Sequence, residues 1–81
     1  MEIKDFIQNF INEIEPTPTE QEIELITENS DFRNFEGWDS LTALCIQVMI
    51  ENTYGVTITN SEIREAKTFN DIFQIIKRKK G

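Results

Sequence analysis

Apolar residues recur three and four positions apart at the start of the chain: Ile3, Phe6, Ile7, Phe10, Ile11 and Ile14. Asp5, Gln8, Asn9, Asn12 and Glu13 fall on the opposite side. This spacing predicts an amphipathic first helix. Pro16 and Pro18 are expected to end it, because proline disfavours helical geometry in the residue before it. Residues 17–37 read as a long polar connection anchored by Ile23, Leu25, Ile26, Phe32 and Phe35. Thr19 and Glu22 are spaced as a capping box, which allows a short helical turn there. A connection of this length in so short a chain is usually functional rather than idle.

A second helix is predicted from Asp39 or Ser40 to about Thr53. Asp and Ser are both good N-caps, and Gly37 lets the chain turn ahead of them. This helix carries Leu41, Ala43, Leu44, Cys45, Ile46, Val48, Met49 and Ile50, so it is apolar nearly all round. Such a helix must bury more than one face. Gly55 suits its C-terminus, and Val56-Thr57-Ile58 reads as an extended link. A short third helix is expected over about Ser61 to Glu65. A fourth begins after Thr68, with Asp71 at a capping-box position and Phe69, Ile72, Phe73 and Ile76 on its apolar face, Ile75 beside them. The expected fold is all-α: a bundle of three main helices plus a short third one, with a long loop between helices one and two. At 81 residues it is expected to form one domain over 1–81.

Composition narrows the function. Aliphatic and aromatic residues make up 38%, enough for a packed core. Fifteen acidic against 8 basic side chains give a net charge of −7. A field of that sign repels nucleic acid and anionic membrane and favours partners with basic patches. The single cysteine, Cys45, rules out an internal disulfide. The absence of histidine rules out a Cys/His zinc site, a Ser-His-Asp triad and a Cys-His dyad. Met1-Glu2-Ile3-Lys4-Asp5 is charged and lacks the apolar run of a signal peptide. No apolar stretch approaches the ~20 residues that span a bilayer. The expectation is a cytoplasmic monomer with no resident metal and no contact with nucleic acid or membrane.

The informative stretch is Gly37-Trp38-Asp39-Ser40-Leu41. Ser40 stands at the start of a predicted helix, where unpaired N–H groups and the positive end of the dipole meet. A phosphate ester on its hydroxyl would rest in an anion site. Asp39 sets a carboxylate beside that hydroxyl, where a modifying enzyme could use it to hold a metal ion or orient the attack. An ordinary N-cap accounts for Asp39 and Ser40 equally well.

The same stretch resembles the attachment site of acyl and peptidyl carrier proteins, whose signature is Gly-x-Asp-Ser-Leu. The resemblance extends over residues 3–77, through Phe32, Glu51, the Tyr54-Gly55 pair, Ile58 and Thr68. It implies that a phosphopantetheinyl transferase uses coenzyme A to attach 4′-phosphopantetheine to Ser40. The arm's thiol then holds an acyl group as a thioester, which the protein presents to acyl-loading and acyl-processing enzymes. The domain supplies positioning and is not itself an enzyme. Fatty acyl, polyketide, amino-acyl and peptidyl cargoes all fit. An unmodified adaptor that binds a partner through helix two is the alternative. A hydrolase with Ser40 as nucleophile would need a lysine or carboxylate as its base.

Several positions depart from fatty-acid carriers. Thr42, Cys45, Asn52 and Thr53 occupy places in helix two that are often acidic, while Asp39 and Glu51 remain. Most of the negative charge lies instead in residues 13–36. Docking is therefore expected to rest on Leu41, Leu44 and Val48 together with Glu51; the competing reading packs these leucines and the valine into the core. Trp38 replaces a smaller residue and is expected to pack on the loop against Phe32 or Phe35, the alternative being a contact with the arm or a partner. The Trp-Asp-Ser-Leu-Thr run is similar to that of stand-alone carriers of specialised pathways. Phe35 is expected to take the packing role that Glu36 cannot fill. Cys45 reads as a small apolar helix residue. Lys77, Arg78, Lys79 and Lys80 read as favourable charge on a fraying helix C-terminus. Whether an acyl chain shelters among the isoleucines stays open.

Overall fold

In the computed structural model, which describes residues 2–81, side-chain oxygens open four of the five α-helices. The helices are α1 (Ile3–Ile11), α2 (Glu20–Glu24), α3 (Ser40–Tyr54), α4 (Asn60–Glu65) and α5 (Phe69–Lys80). Thr19 with Glu22, Thr59 with Glu62, and Thr68 with Asp71 form reciprocal capping boxes. Asp39 caps α3 alone, and no side chain caps α1. The all-α expectation with three long helices holds, and the capping box at Thr19 does nucleate a short helix. Among the described residues there is no strand, only an isolated bridge between Asp31 and Thr68.

Two boundaries differ from the periodicity. α1 stops at Ile11, well before Pro16. The N–H groups of Glu13 and Ile14 bond back three residues, to Phe10 and Ile11, so the helix tightens at its end. That tighter turn still brings Ile14 fully into the core. A 3₁₀ turn over Phe32–Asn34, capped by Asp31, was not foreseen. It buries Phe32 completely. The connection is tied to the start of α5 by the Asn70 N–H, which donates to the Glu28 carbonyl at 2.9 Å.

The core lies where α1, α3 and α5 meet. Phe6, Phe10, Phe32, Ile46, Ile50, Phe69, Ile72 and Ile76 are fully buried. Burying each such side chain contributes about 1.5–3 kcal/mol. The Phe10 ring is central, with the rings of Phe69, Phe32, Phe6 and Trp38 centred 5.0, 5.3, 5.9 and 5.9 Å away. α3 buries only the face of Thr42, Ile46, Met49 and Ile50. Leu41, Leu44 and Val48 are 69%, 55% and 51% exposed, so core packing does not account for them.

The basic C-terminus does more than complement a dipole. Helix α5 continues to Lys80. Lys79 forms an ion pair with Glu62 at 2.6 Å and donates to the Thr57 carbonyl, while Lys80 donates to the Tyr54 carbonyl at 2.9 Å. These lysines tie the last turn of α5 to the start of α4 and the end of α3. No helix among the described residues is long and apolar enough to cross a membrane.

Candidate functional site

The site forms at the start of α3, held by a chain of contacts that begins near the end of α1. Gly37 is buried against the backbone of Glu15. A Cβ there would overlap the Glu15 carbonyl and lie 2.9 Å from Ile14 Cγ2. Gly37 is required for close approach, not for a special backbone angle. Its own carbonyl accepts a hydrogen bond from the buried Thr42 Oγ1 at 2.9 Å. The Thr42 N–H in turn donates to Asp39 Oδ1 at 2.8 Å. Trp38 stacks on Phe10 and packs edge-on against Phe32, with centroids 4.9 Å apart in the second pair. The expected packing on Phe32 is present; the stacking on Phe10 is additional, and Phe35 packs on Phe69 instead.

This arrangement divides the two residues that capping alone could not tell apart. Asp39 has extended backbone and performs the cap. Ser40 is the first helical residue, is exposed, and leaves its hydroxyl outside the cap. The Thr42 N–H holds the Asp39 carboxyl below the usual carboxylate range. Thr42, which stands where fatty-acid carriers are often acidic, is the buried lock between Gly37 and Asp39, a role its sequence position alone does not announce. Its position three after Asp39 signals only the N–H contact, since a cap accepts from that N–H.

The remaining predicted residues share α3. Leu41, Leu44, Val48 and Glu51 are exposed along it. Leu44 and Val48 flank the half-buried Cys45 in a shallow apolar groove of about 290 Å³. A second groove of about 380 Å³ runs from Ser40 between α3 and α4, past Ala43, Gln47 and Ile63 to Arg64. A third, of similar volume, adjoins it, sharing Ser40, Ala43, Ile63 and Arg64, and extends toward Trp38 and Arg33. Neither arginine carries a sequence signal: the 3₁₀ turn sets Arg33, and α4 sets Arg64, at grooves that Ser40 also lines. No cluster that could hold a metal ion occurs among the described residues.

Two predictions follow from the local geometry. Gly37→Ala is expected to lower unfolding stability by roughly 1–3 kcal/mol, the cost of overpacking against a neighbour that cannot rotate away. Urea denaturation measures it, and an unchanged midpoint would show that the Glu15 backbone yields freely. The second concerns acid. Asp39, Asp71, Asp31 and Glu62 are all held below their ordinary ranges, by N–H donors for the first two and by hydrogen bonds from Arg33 and Lys79 for the others. The unfolded chain therefore takes up these protons first as pH falls. Their stabilisation is present above about pH 4 and is lost as pH drops through the lowered native values. Relief of the net −7 repulsion acts in the opposite sense but is nearly common to wild type and Asp39→Asn. Asn keeps a capping oxygen without the charge. Melting curves between pH 7 and 3 should show the variant losing less stability with acid than wild type; parallel losses would refute the assignment for Asp39.

The family model for the phosphopantetheine attachment site matches residues 5–76, from α1 to near the end of α5. No curated protein matches the chain.

Proposed function

Since the chain belongs to the phosphopantetheine attachment-site family, and so is a carrier of covalent 4′-phosphopantetheine, we propose that the arm is attached to Ser40 and that the protein shuttles thioester-linked acyl intermediates between biosynthetic enzymes. The observation that carries the placement is the exposed hydroxyl of Ser40 on the first turn of α3, left outside a cap that Asp39 performs. The donor set around it suits a phosphodiester: Ser40 opens α3 and two arginines line the grooves at it. When bound, the group supplies the thiol that holds the cargo. Modification joins Ser40 Oγ to phosphorus, breaks the pyrophosphate link of coenzyme A, and releases adenosine 3′,5′-bisphosphate. The chain's part is to present the hydroxyl and hold the turn rigid through Gly37, Thr42 and Trp38.

In this reading the protein is a cytoplasmic, monomeric single domain that performs no chemistry of its own. Its partners are a phosphopantetheinyl transferase and enzymes that load and process acyl groups. The sparse acidity of α3 speaks against the housekeeping fatty-acid enzymes as partners, and the Trp-Asp-Ser-Leu-Thr run favours a specialised pathway. Docking rests on Leu41, Leu44 and Val48, with Glu51 as the charged contact. Leu44→Ala is expected to weaken binding to a cognate enzyme by about 1 kcal/mol, roughly five-fold, with little change in melting temperature because the side chain is already half exposed. Calorimetric titration against the partner reads this directly; unchanged affinity for both Leu44→Ala and Glu51→Lys would end the docking proposal.

The test of the function is intact-protein mass spectrometry after incubation with coenzyme A, magnesium and a broad-specificity transferase. One added phosphopantetheine, mapped to the Ser40 peptide, is the expected result. No addition, with folded protein and active transferase, would favour the unmodified adaptor.

A further inference from the structure

The geometry points to Arg64 as a clasp for the phosphodiester of the arm, with Arg33, which lines one of the same grooves, as a reserve. Arg64 lines both grooves that open at Ser40, and Arg33 lines one of them. The chain has only three arginines, and two of them line grooves at one exposed serine. They differ in their present engagements. Arg33 is committed to Asp31, through Nε to Oδ1 at 3.3 Å and Nη2 to Oδ2 at 3.2 Å. Arg64 has no carboxylate in salt-bridge contact among the described residues; its Nε makes a single long hydrogen bond, 3.4 Å, to the Asn60 carbonyl. The rest of its guanidinium fork is free to engage an anion.

A phosphodiester carries one negative charge and non-bridging oxygens that match that fork, which is why arginine serves better than lysine at such a site. Asp39 also borders the groove on the Arg33 side, but its Oδ1 is occupied by the Thr42 N–H. Arg64 sits on α4, so engaging the phosphate would link α4 to the start of α3 across the groove floored by Ala43 and Ile63. The consequence is directional. The first atoms of the arm are held on the α4 side of Ser40, over Ala43 and Ile63, which line both grooves, and away from Leu41, which lines neither.

This rests on attachment at Ser40, so the experiment separates the two. Apo protein is converted with coenzyme A and transferase, and mass spectrometry establishes the added arm in wild type, Arg64→Gln and Arg64→Lys. The arginine Nε–Hε signals of ¹⁵N-labelled protein and the ³¹P signal of the arm are then recorded at low and high salt. The expected result is that the Arg64 Nε–Hε signal shifts between apo and holo wild type while that of Arg78 stays. The ³¹P signal of holo Arg64→Gln should move toward that of the urea-unfolded holo protein, and Arg64→Lys should fall between. High salt should diminish the wild-type shift. An added arm with no Arg64 shift, or a ³¹P signal unchanged by Arg64→Gln, overturns the clasp and leaves the carrier reading standing. No added mass in wild type removes both.

Discussion

Ser40→Ala is expected to abolish the phosphopantetheine mass gain completely while leaving the fold intact. The two halves of that expectation have separate physical origins. The loss is total because the substitution removes the only atom to which the phosphorus would be joined, and no neighbour can take over. Thr42, the nearest other hydroxyl on α3, is 7% exposed and bonded to the Gly37 carbonyl. The fold survives because Ser40 carries no part of the cap. Asp39 accepts the Thr42 N–H, and alanine is a good helix former at an exposed position of the first turn. Stability should change by less than about 0.5 kcal/mol, as for most surface substitutions. Intact mass and circular dichroism on the same sample test both halves. A mass gain that persists in a folded Ser40→Ala protein would place the attachment elsewhere and end the proposal. Asp39→Ala separates cap from acceptor in the other direction: it should destabilise the protein while leaving the acceptor oxygen in place.

Why some of this was readable from residues alone, and some was not, follows from the range of the interactions. The caps at Thr19, Asp39 and Thr68 are local, made between residues three apart, and each appears in the structure where the spacing puts it. The apolar faces of α1 and α5 show the same locality. The early end of α1 does not. Periodicity ran on to Ile14 because that side chain is buried, but a three-residue turn delivers it to the core as well as a helix would. Ser40 and Asp39 were visible as a pair, and only the cap geometry divides their roles. Gly37 was read as a turn-former, whereas its necessity comes from Glu15, far away in sequence. Thr42 presents its N–H to Asp39 as any third residue after a cap does, but its burial and its hydroxyl bond to Gly37 are set by the packed turn. Arg33 and Arg64 have no local signal at all. They come to line the grooves at Ser40 through the packing of the first connection and α4, which no short-range pattern encodes.

Phe10 shows how the distant core reaches the site, and its truncation carries the largest expected loss of stability. The ring is fully buried and touches four other aromatic rings, from α1, the 3₁₀ turn, the loop before α3 and α5. Removing it leaves a cavity walled by rigid rings that cannot easily collapse. Phe10→Ala should therefore cost about 3–5 kcal/mol. Domains commonly hold roughly 0.05–0.15 kcal/mol per residue, so a chain of 81 residues could lose most of its stability. The single tryptophan makes the coupling to the site measurable, because Trp38 is stacked on the ring that is lost. Its native-state emission should shift to longer wavelength in Phe10→Ala under conditions where helicity is retained. Phe10→Leu, which refills much of the space, should recover part of the stability but not the stacking. If urea denaturation gave a loss below about 1 kcal/mol for Phe10→Ala, the core would be closing around the void. If emission were unchanged, Trp38 would be held by Phe32 alone, and the turn presenting Ser40 would be independent of α1.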